Sequence, residues 1–195
     1  YWPLTPAIET GFKAAIRNIV DVVYPNAVRI ELDIEGATPL GRADGRDHYD
    51  FTLNYSDAVA GRAQIIQWAQ EEEPGVEFFL YNPPWRNSID VGWASDESTA
   101  AATLNPIVDA VNCNVYYRPN PDWFPFSAAG LAAWEATLDV KLQAADTYYP
   151  GKDAWVMTSD KIPEAPIRLT GYQLAQLRDA IIVARGRKMN YWAGR

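Results

Sequence analysis

The chain holds a single cysteine, Cys113, and a single histidine, His48, in 195 residues. One thiol excludes an intrachain disulfide and a cysteine-built zinc site. No histidine accompanies the thiol in Val111-Asn112-Cys113-Asn114, so a buried, inert cysteine is expected rather than a nucleophile. Any Ser-His or Cys-His mechanism would depend wholly on His48. No G-x-S-x-G, Walker-type loop or G-x-G-x-x-G occurs, which removes the commonest nucleophile and phosphate-binding signatures. Apolar runs long enough to span a bilayer are absent, as is a signal peptide in the residues given. The lack of disulfides suits synthesis in the cytoplasm. Excess positive charge is missing too: the net charge is −8, whereas binding a nucleic-acid duplex needs a basic face.

What is present is a large apolar and aromatic content, 48% and 13% of the chain, with 14 prolines and 12 glycines. That is ample for a folded core and too apolar for disorder. Alternation is the clearest pattern. In Val28-Arg29-Ile30-Glu31-Leu32-Asp33-Ile34-Glu35 every second residue is apolar and the others are charged, the period of a strand with one wet face. Tyr49, Phe51, Leu53 and Tyr55 repeat it, as do Trp134, Ala136, Leu138, Val140 and Leu142. Val76 to Tyr81 and Val115 to Arg118 read as shorter strands. The expected fold class is therefore α+β, an antiparallel β-sheet or sandwich with a few helices and a C-terminal helix.

Helices interleave with these strands. Ser56 is an expected N-cap for a helix over Asp57 to Gln70, with Val59, Ala63 and Ile66 on one face. Glu71-Glu72-Glu73-Pro74-Gly75 then marks a stop. Thr170 and Gln173 have capping-box spacing, Leu174, Leu177, Ile181 and Ala184 form a stripe, and Gly186 is a C-cap candidate. A further helix lies near Ser98 to Val111, interrupted by Pro106. Thr5-Pro6 suits a helix start, with Ile8, Phe12, Ile16, Ile19 and Val23 on one face. The β-rich run Ile19 to Tyr24 fits two strands joined at Pro25-Asn26 instead, and residues 7–23 remain open between the two. The expected organisation is a main β-rich domain over 1–145. A C-terminal extension over 146–195 would carry a helix at about 170–185 and a basic tail.

No catalytic or metal-binding set is expected. The acids around His48 (Asp44, Asp47, Asp50) read as a solvated hairpin loop, because only His48 and Asp50 share a strand face. Glu71, Glu72 and Glu73 diverge at a helix end and cannot oppose each other across a sugar. The chemical asset is the 8 tryptophans. Trp85, Trp93 and Trp123, with Phe124, fall in or near proline-rich loops where aromatic faces stack on sugars or seat a partner. Arg185, Arg187 and Lys188, with Arg195, form a basic run suited to docking on an acidic surface.

The stretch from His48 to Trp85 resembles the minor tail and distal tail proteins of long-tailed bacteriophages. Tyr49-Asp50-Phe51-Thr52-Leu53, the helix Asp57 to Gln70, Gly75 to Tyr81 and Asn82-Pro83-Pro84-Trp85 carry the resemblance. Trp2-Pro3-Leu4-Thr5-Pro6 is similar to the family's start, and Trp134 to Leu142 to its closing strand. The N-terminal segment and the C-terminal helix depart from the family. The resemblance implies a non-enzymatic virion component of the tail tip, baseplate or tail end, assembled in the host cytoplasm. It would form a homo-oligomeric ring, a trimer or hexamer, joined to other tail proteins, with no cofactor, membrane or direct nucleic-acid contact. The alternative is a carbohydrate-binding module that uses the loop tryptophans.

Overall fold

The computed structural model describes residues 4–32, 55–81, 94–115, 126–159 and 168–191. Strands and helices alternate along the chain. Helix α1 spans Pro6–Asn18 and strand β1 Arg29–Leu32. Then come α2 (Tyr55–Glu72), β2 (Glu77–Tyr81), α3 (Ala94–Leu104) and β3 (Ala110–Asn114). The chain continues with α4 (Ala128–Tyr148), β4 (Asp153–Thr158), α5 (Gly171–Arg178) and β5 (Lys188–Tyr191). The strands form one sheet in the order β1-β2-β3-β4-β5, and it is parallel throughout. Crossover helices make this necessary, since a strand that returns through a helix re-enters the sheet in the same direction.

The expected antiparallel sheet or sandwich is thus overturned. The parallel signature lies in β2 and β3, where Phe78, Phe79 and Leu80, and Ala110, Val111, Asn112 and Cys113, are all buried. Burial on both faces erases alternation, as it does in strands covered on either side. The alternating segment Trp134 to Leu142, expected as a strand, is helical. Within its period of two hides a period of four. Trp134, Leu138 and Leu142 are buried, whereas Ala136 is exposed. An alanine-rich run behind an N-cap completes the helix, with Ser127 Oγ accepting from Gly130 N–H at 3.1 Å. Strand β3 spans Ala110–Asn114, and of the strand expected at Val115 to Arg118 all but Val115 lies outside the described residues. The segment Tyr49 to Leu53 lies outside the described residues, and Tyr55 already belongs to α2.

The described elements fall into two compact units. In the first, α1 is helical, which closes the alternative left open for its segment. Thr5 Oγ1 caps Ile8 N–H at 3.3 Å and Pro6 opens the first turn. The β-branched run Ile19–Val23 continues as a π turn rather than a strand, closed by Tyr24 N–H donating to Ile19 O at 2.8 Å. Against α1 packs α2, with Phe12 and Trp68 rings 6.5 Å apart. Lys13 bonds both Glu9 and Glu71 at 2.7 Å, and Arg17 pairs with Glu72. Val59, Ala63 and Ile66 are buried as their spacing predicts, but α2 starts at Tyr55, which puts Ser56 inside the first turn. Helix α3 ends at Leu104, ahead of Pro106, and the apolar residues after the proline lead into β3.

In the second unit Trp134 anchors α4 through an indole N–H donated to Val115 O at 3.0 Å. Thr170 and Gln173 form the reciprocal capping box of α5 at 2.8 and 3.3 Å. The helix passes into a second π turn, Asp179–Val183, and stops at Gly186, whose φ of +62° is one that only glycine adopts without strain. Residues 185–188 therefore lead into β5. Strands β4 and β5 complete the unit without a strand signal of their own in the sequence.

Candidate functional site

In parallel α/β sheets ligands bind beyond the C-terminal ends of the strands, where the strand-to-helix connections gather. In the first unit, register pairs Arg29 with Glu77 and Glu31 with Phe79, so these four share one face of β1 and β2. Arg29 bonds Glu77 and lies 5.7 Å over the Phe79 ring. Ile30, Leu32, Phe78 and Leu80 take the opposite, apolar face. Asp109 in the approach to β3 fixes β2 by accepting from Phe78 N–H at 2.8 Å. Glu31 carries a fully buried carboxylate oxygen one residue before the end of β1. The chain continues directly from Leu32 into Asp33-Ile34-Glu35.

In the second unit the corresponding strand is β3. Cys113 lies 4.0 Å from Lys141 O of α4, which sets the helix side of the strand. Asn112 and Asn114, one residue either side, point the other way. Asn112 is wholly buried, and neither its Oδ1 nor its Nδ2 has a hydrogen-bond partner. An orphaned buried polar group costs about 1–3 kcal/mol. Thr158, the last residue of β4, and Ser159 after it are also buried.

Several sequence candidates are thereby resolved. Burial pushes the Cys113 thiol up to about 11, so it is protonated at neutral pH and is no nucleophile. Arg185 bonds Asp139 at 2.6 and 2.9 Å, Glu135 at 3.0 Å and Ala180 O at 2.7 Å. Arg187 bonds Asp146 at 2.5 Å, and Lys188 pairs with Asp153 and sits 5.3 Å over the Trp155 ring. The basic cluster is thus engaged within its own unit. Trp85, Trp93, Trp123, Phe124 and His48 lie outside the described residues. Asn112 was missed, although two asparagines inside an otherwise apolar strand were a visible signal. No group of three or more metal-ligating side chains occurs among the described residues. None of the described helices is long and apolar enough to cross a membrane.

The Asp139 pair gives a pH prediction. The hydrogen bond from Arg185 holds the Asp139 carboxyl below the usual carboxylate range, against a smaller opposing effect of burial. A depressed pKa contributes stability that is complete above the unfolded value, about 3.9, and is lost as pH falls through the folded value. Asp139 is 60% exposed, so screening limits the contribution to about 1 kcal/mol or less. Asp139→Asn is expected to lower Tm slightly at neutral pH, with the difference from wild type closing in acid. Thermal melts across the acid range check this, and a difference constant with pH would contradict it.

The architecture defines a class: a parallel α/β sheet whose strands follow one another in chain order, without the reversal that marks a switch point. No family model and no curated protein sequence matches the chain. Among solved structures it is similar to bee venom hyaluronidase, with a TM-score of 0.54 at 13% sequence identity. The match covers 99% of this chain and 58% of that protein. At this identity the likeness concerns the fold.

Proposed function

We propose that this chain is a carbohydrate-active domain that hydrolyses a glycosidic bond. The observation that carries the proposal is the order of the sheet combined with the composition of the segment after each strand. Residues 33–54, 82–93, 116–125 and 160–167 each connect the end of a strand to a helix. These connections hold Asp33, Glu35, His48, Trp85, Trp93, Trp123 and Phe124. Carboxylates and aromatic faces are the two residue classes a glycosidase needs, the first for proton transfer or attack and the second for stacking on sugar rings. The fold shared with an enzyme named as a hyaluronidase supports the same reading by analogy. It runs against the expectation of a non-enzymatic protein.

Asp33 and Glu35 are the residues we assign to the chemistry. They come immediately after β1 and are spaced by one residue. In the reaction one carboxylic acid protonates the departing glycosidic oxygen. The other carboxylate attacks the anomeric carbon or activates the water that does. Water supplies the hydroxyl that ends on the anomeric carbon and the proton that remains on the leaving sugar. The test is release of reducing ends from a panel of polysaccharides, with and without acetamido sugars. Turnover of at least one polymer supports the reading. Binding without turnover would leave the tryptophan-based binding module, and neither would end the carbohydrate assignment.

A phage-tail connector stays a proposal resting on the resemblance of His48 to Trp85. Two of its matched pieces are present as α2 and β2, but they belong to a parallel sheet, and Trp134 to Leu142 is no closing strand.

A further inference from the structure

Single apolar side chains in solvent are ordinary, but apolar side chains gathered at one place call for something to cover them. Eight large apolar residues are exposed among the described residues, and six of them stand at two places. Val22, Val23, Tyr24 and Val28 lie a few residues ahead of β1, and Ile182 and Val183 a few residues ahead of β5. Val22 is 70% exposed and Val183 77%. The two places are built alike, each a helix that ends in a π turn and feeds a strand. Each of these strands is also last in its row, β1 paired with β2 and β5 with β4 among the described residues. Beside β1 the same segment lines a hollow of about 620 Å³, walled by Ile19, Val23, Tyr24, Pro25 and Ile30.

We infer that copies of this chain associate head to tail, the β1 edge of one copy taking the β5 edge of the next. A sheet edge is a row of backbone donors and acceptors suited to a further strand. Direction then selects the pairing. Parallel strands side by side have their starts together, which sets the Val183 patch of one copy against the Val23 patch and hollow of its neighbour. Copies related by a two-fold axis would instead meet through one and the same edge, antiparallel, with their apolar patches at opposite ends of the pair. A second copy in head-to-tail contact is therefore the occupant that covers both kinds of patch at once. The inference is independent of the carbohydrate reading.

The experiment measures mass by light scattering over a wide concentration range for wild type, Val23→Lys, Val183→Lys and an equimolar mixture of the two variants. Both positions are exposed and end a helical turn, where a lysine suits the fold. Each substitution also reduces the net charge of −8, so a loss of association cannot come from added repulsion. Wild type should grow beyond the monomer as concentration rises. Each variant alone should associate at least about tenfold more weakly, since burying an ammonium in an apolar contact is costly. The mixture should form a pair and stop there, because one variant keeps its β1 edge intact and the other its β5 edge. A wild type that stays monomeric throughout would overturn the inference, as would association that survives both substitutions. A mixture that associates no better than its components would also overturn it and leave a symmetric contact through a single edge. Should Val23→Lys not fold by circular dichroism, Val28→Lys, which lies outside the helix, takes its place in the same comparison.

Discussion

Asp33→Asn and Glu35→Gln are each expected to reduce glycan hydrolysis by about 10²–10⁴-fold, the range for removing a positioned acid or base. Both replacements keep the size of the side chain, so a loss of activity would reflect loss of a titratable group. The described core is built from residues of β1 to β4 and of the helices. A Tm held at the wild-type value would show that a loss of activity is not a loss of fold. The pH profile adds a check that a structural role would not pass. Two carboxyl groups in opposite protonation states give a bell-shaped kcat/KM, and each variant should lose one limb. The control comes from the same connection. Asp44, Asp47 and Asp50 surround His48, and if their amide variants abolish turnover while Asp33→Asn and Glu35→Gln do not, the assignment moves to the histidine cluster. Retention of full activity in all five would place the chemistry elsewhere.

Local signals in this sequence were legible and the tertiary ones were not, for reasons visible in particular residues. Caps are chemistry within one turn, so Thr5 with Pro6, Thr170 with Gln173, and Gly186 could be read directly and stand where expected. The faces of α2 were also readable, since Val59, Ala63 and Ile66 keep helical spacing. Strand direction is different, because it depends on what a segment pairs with many residues away. Arg29-Ile30-Glu31-Leu32 alternates whether its neighbour runs up or down. Its polar residues pair with Glu77 and Phe79 of β2 on a face that is exposed at Arg29 and Glu77, so alternation there is compatible with either strand direction. The stronger cue to a parallel sheet was the succession of helix signals between strands, which crossover connections demand.

The candidate site was half visible for a related reason. Aromatic residues in proline-rich segments attract notice anywhere, but only the strand order shows that such segments recur after successive strands. Asn112 illustrates the opposite failure. Two asparagines in an apolar run are a visible signal, but that Asn112 is wholly buried without a partner is a property of packing. The basic run 185–188 reads in the sequence as a docking surface because its partners Glu135, Asp139, Asp146 and Asp153 lie 35 to 50 positions upstream. Charges so distant in sequence neutralise one another only after the chain has folded.

Trp134→Ala should produce the largest loss of stability, and a companion substitution turns it into a test of the fold. Trp134 is fully buried, so truncation leaves a large cavity and costs about 3–5 kcal/mol. Loss of the indole N–H also removes the donor to Val115 O, which adds to the penalty. For a chain of this length the Tm should fall by roughly 6–20 °C. Leu138→Ala, one helical turn on and equally buried, should cost about 2–5 kcal/mol. The informative partner is Ala136→Asp. In a strand, residues 134, 136 and 138 would share one buried face, and a carboxylate at 136 would be as damaging as either truncation. In α4, position 136 is exposed, and the same substitution should change stability by only about 0.5 kcal/mol, near helix propensity differences. Denaturant melts of the three variants thus measure the period of the segment directly. Two severe effects flanking a mild one require the helix, whereas three severe effects would restore the strand and with it the antiparallel sheet.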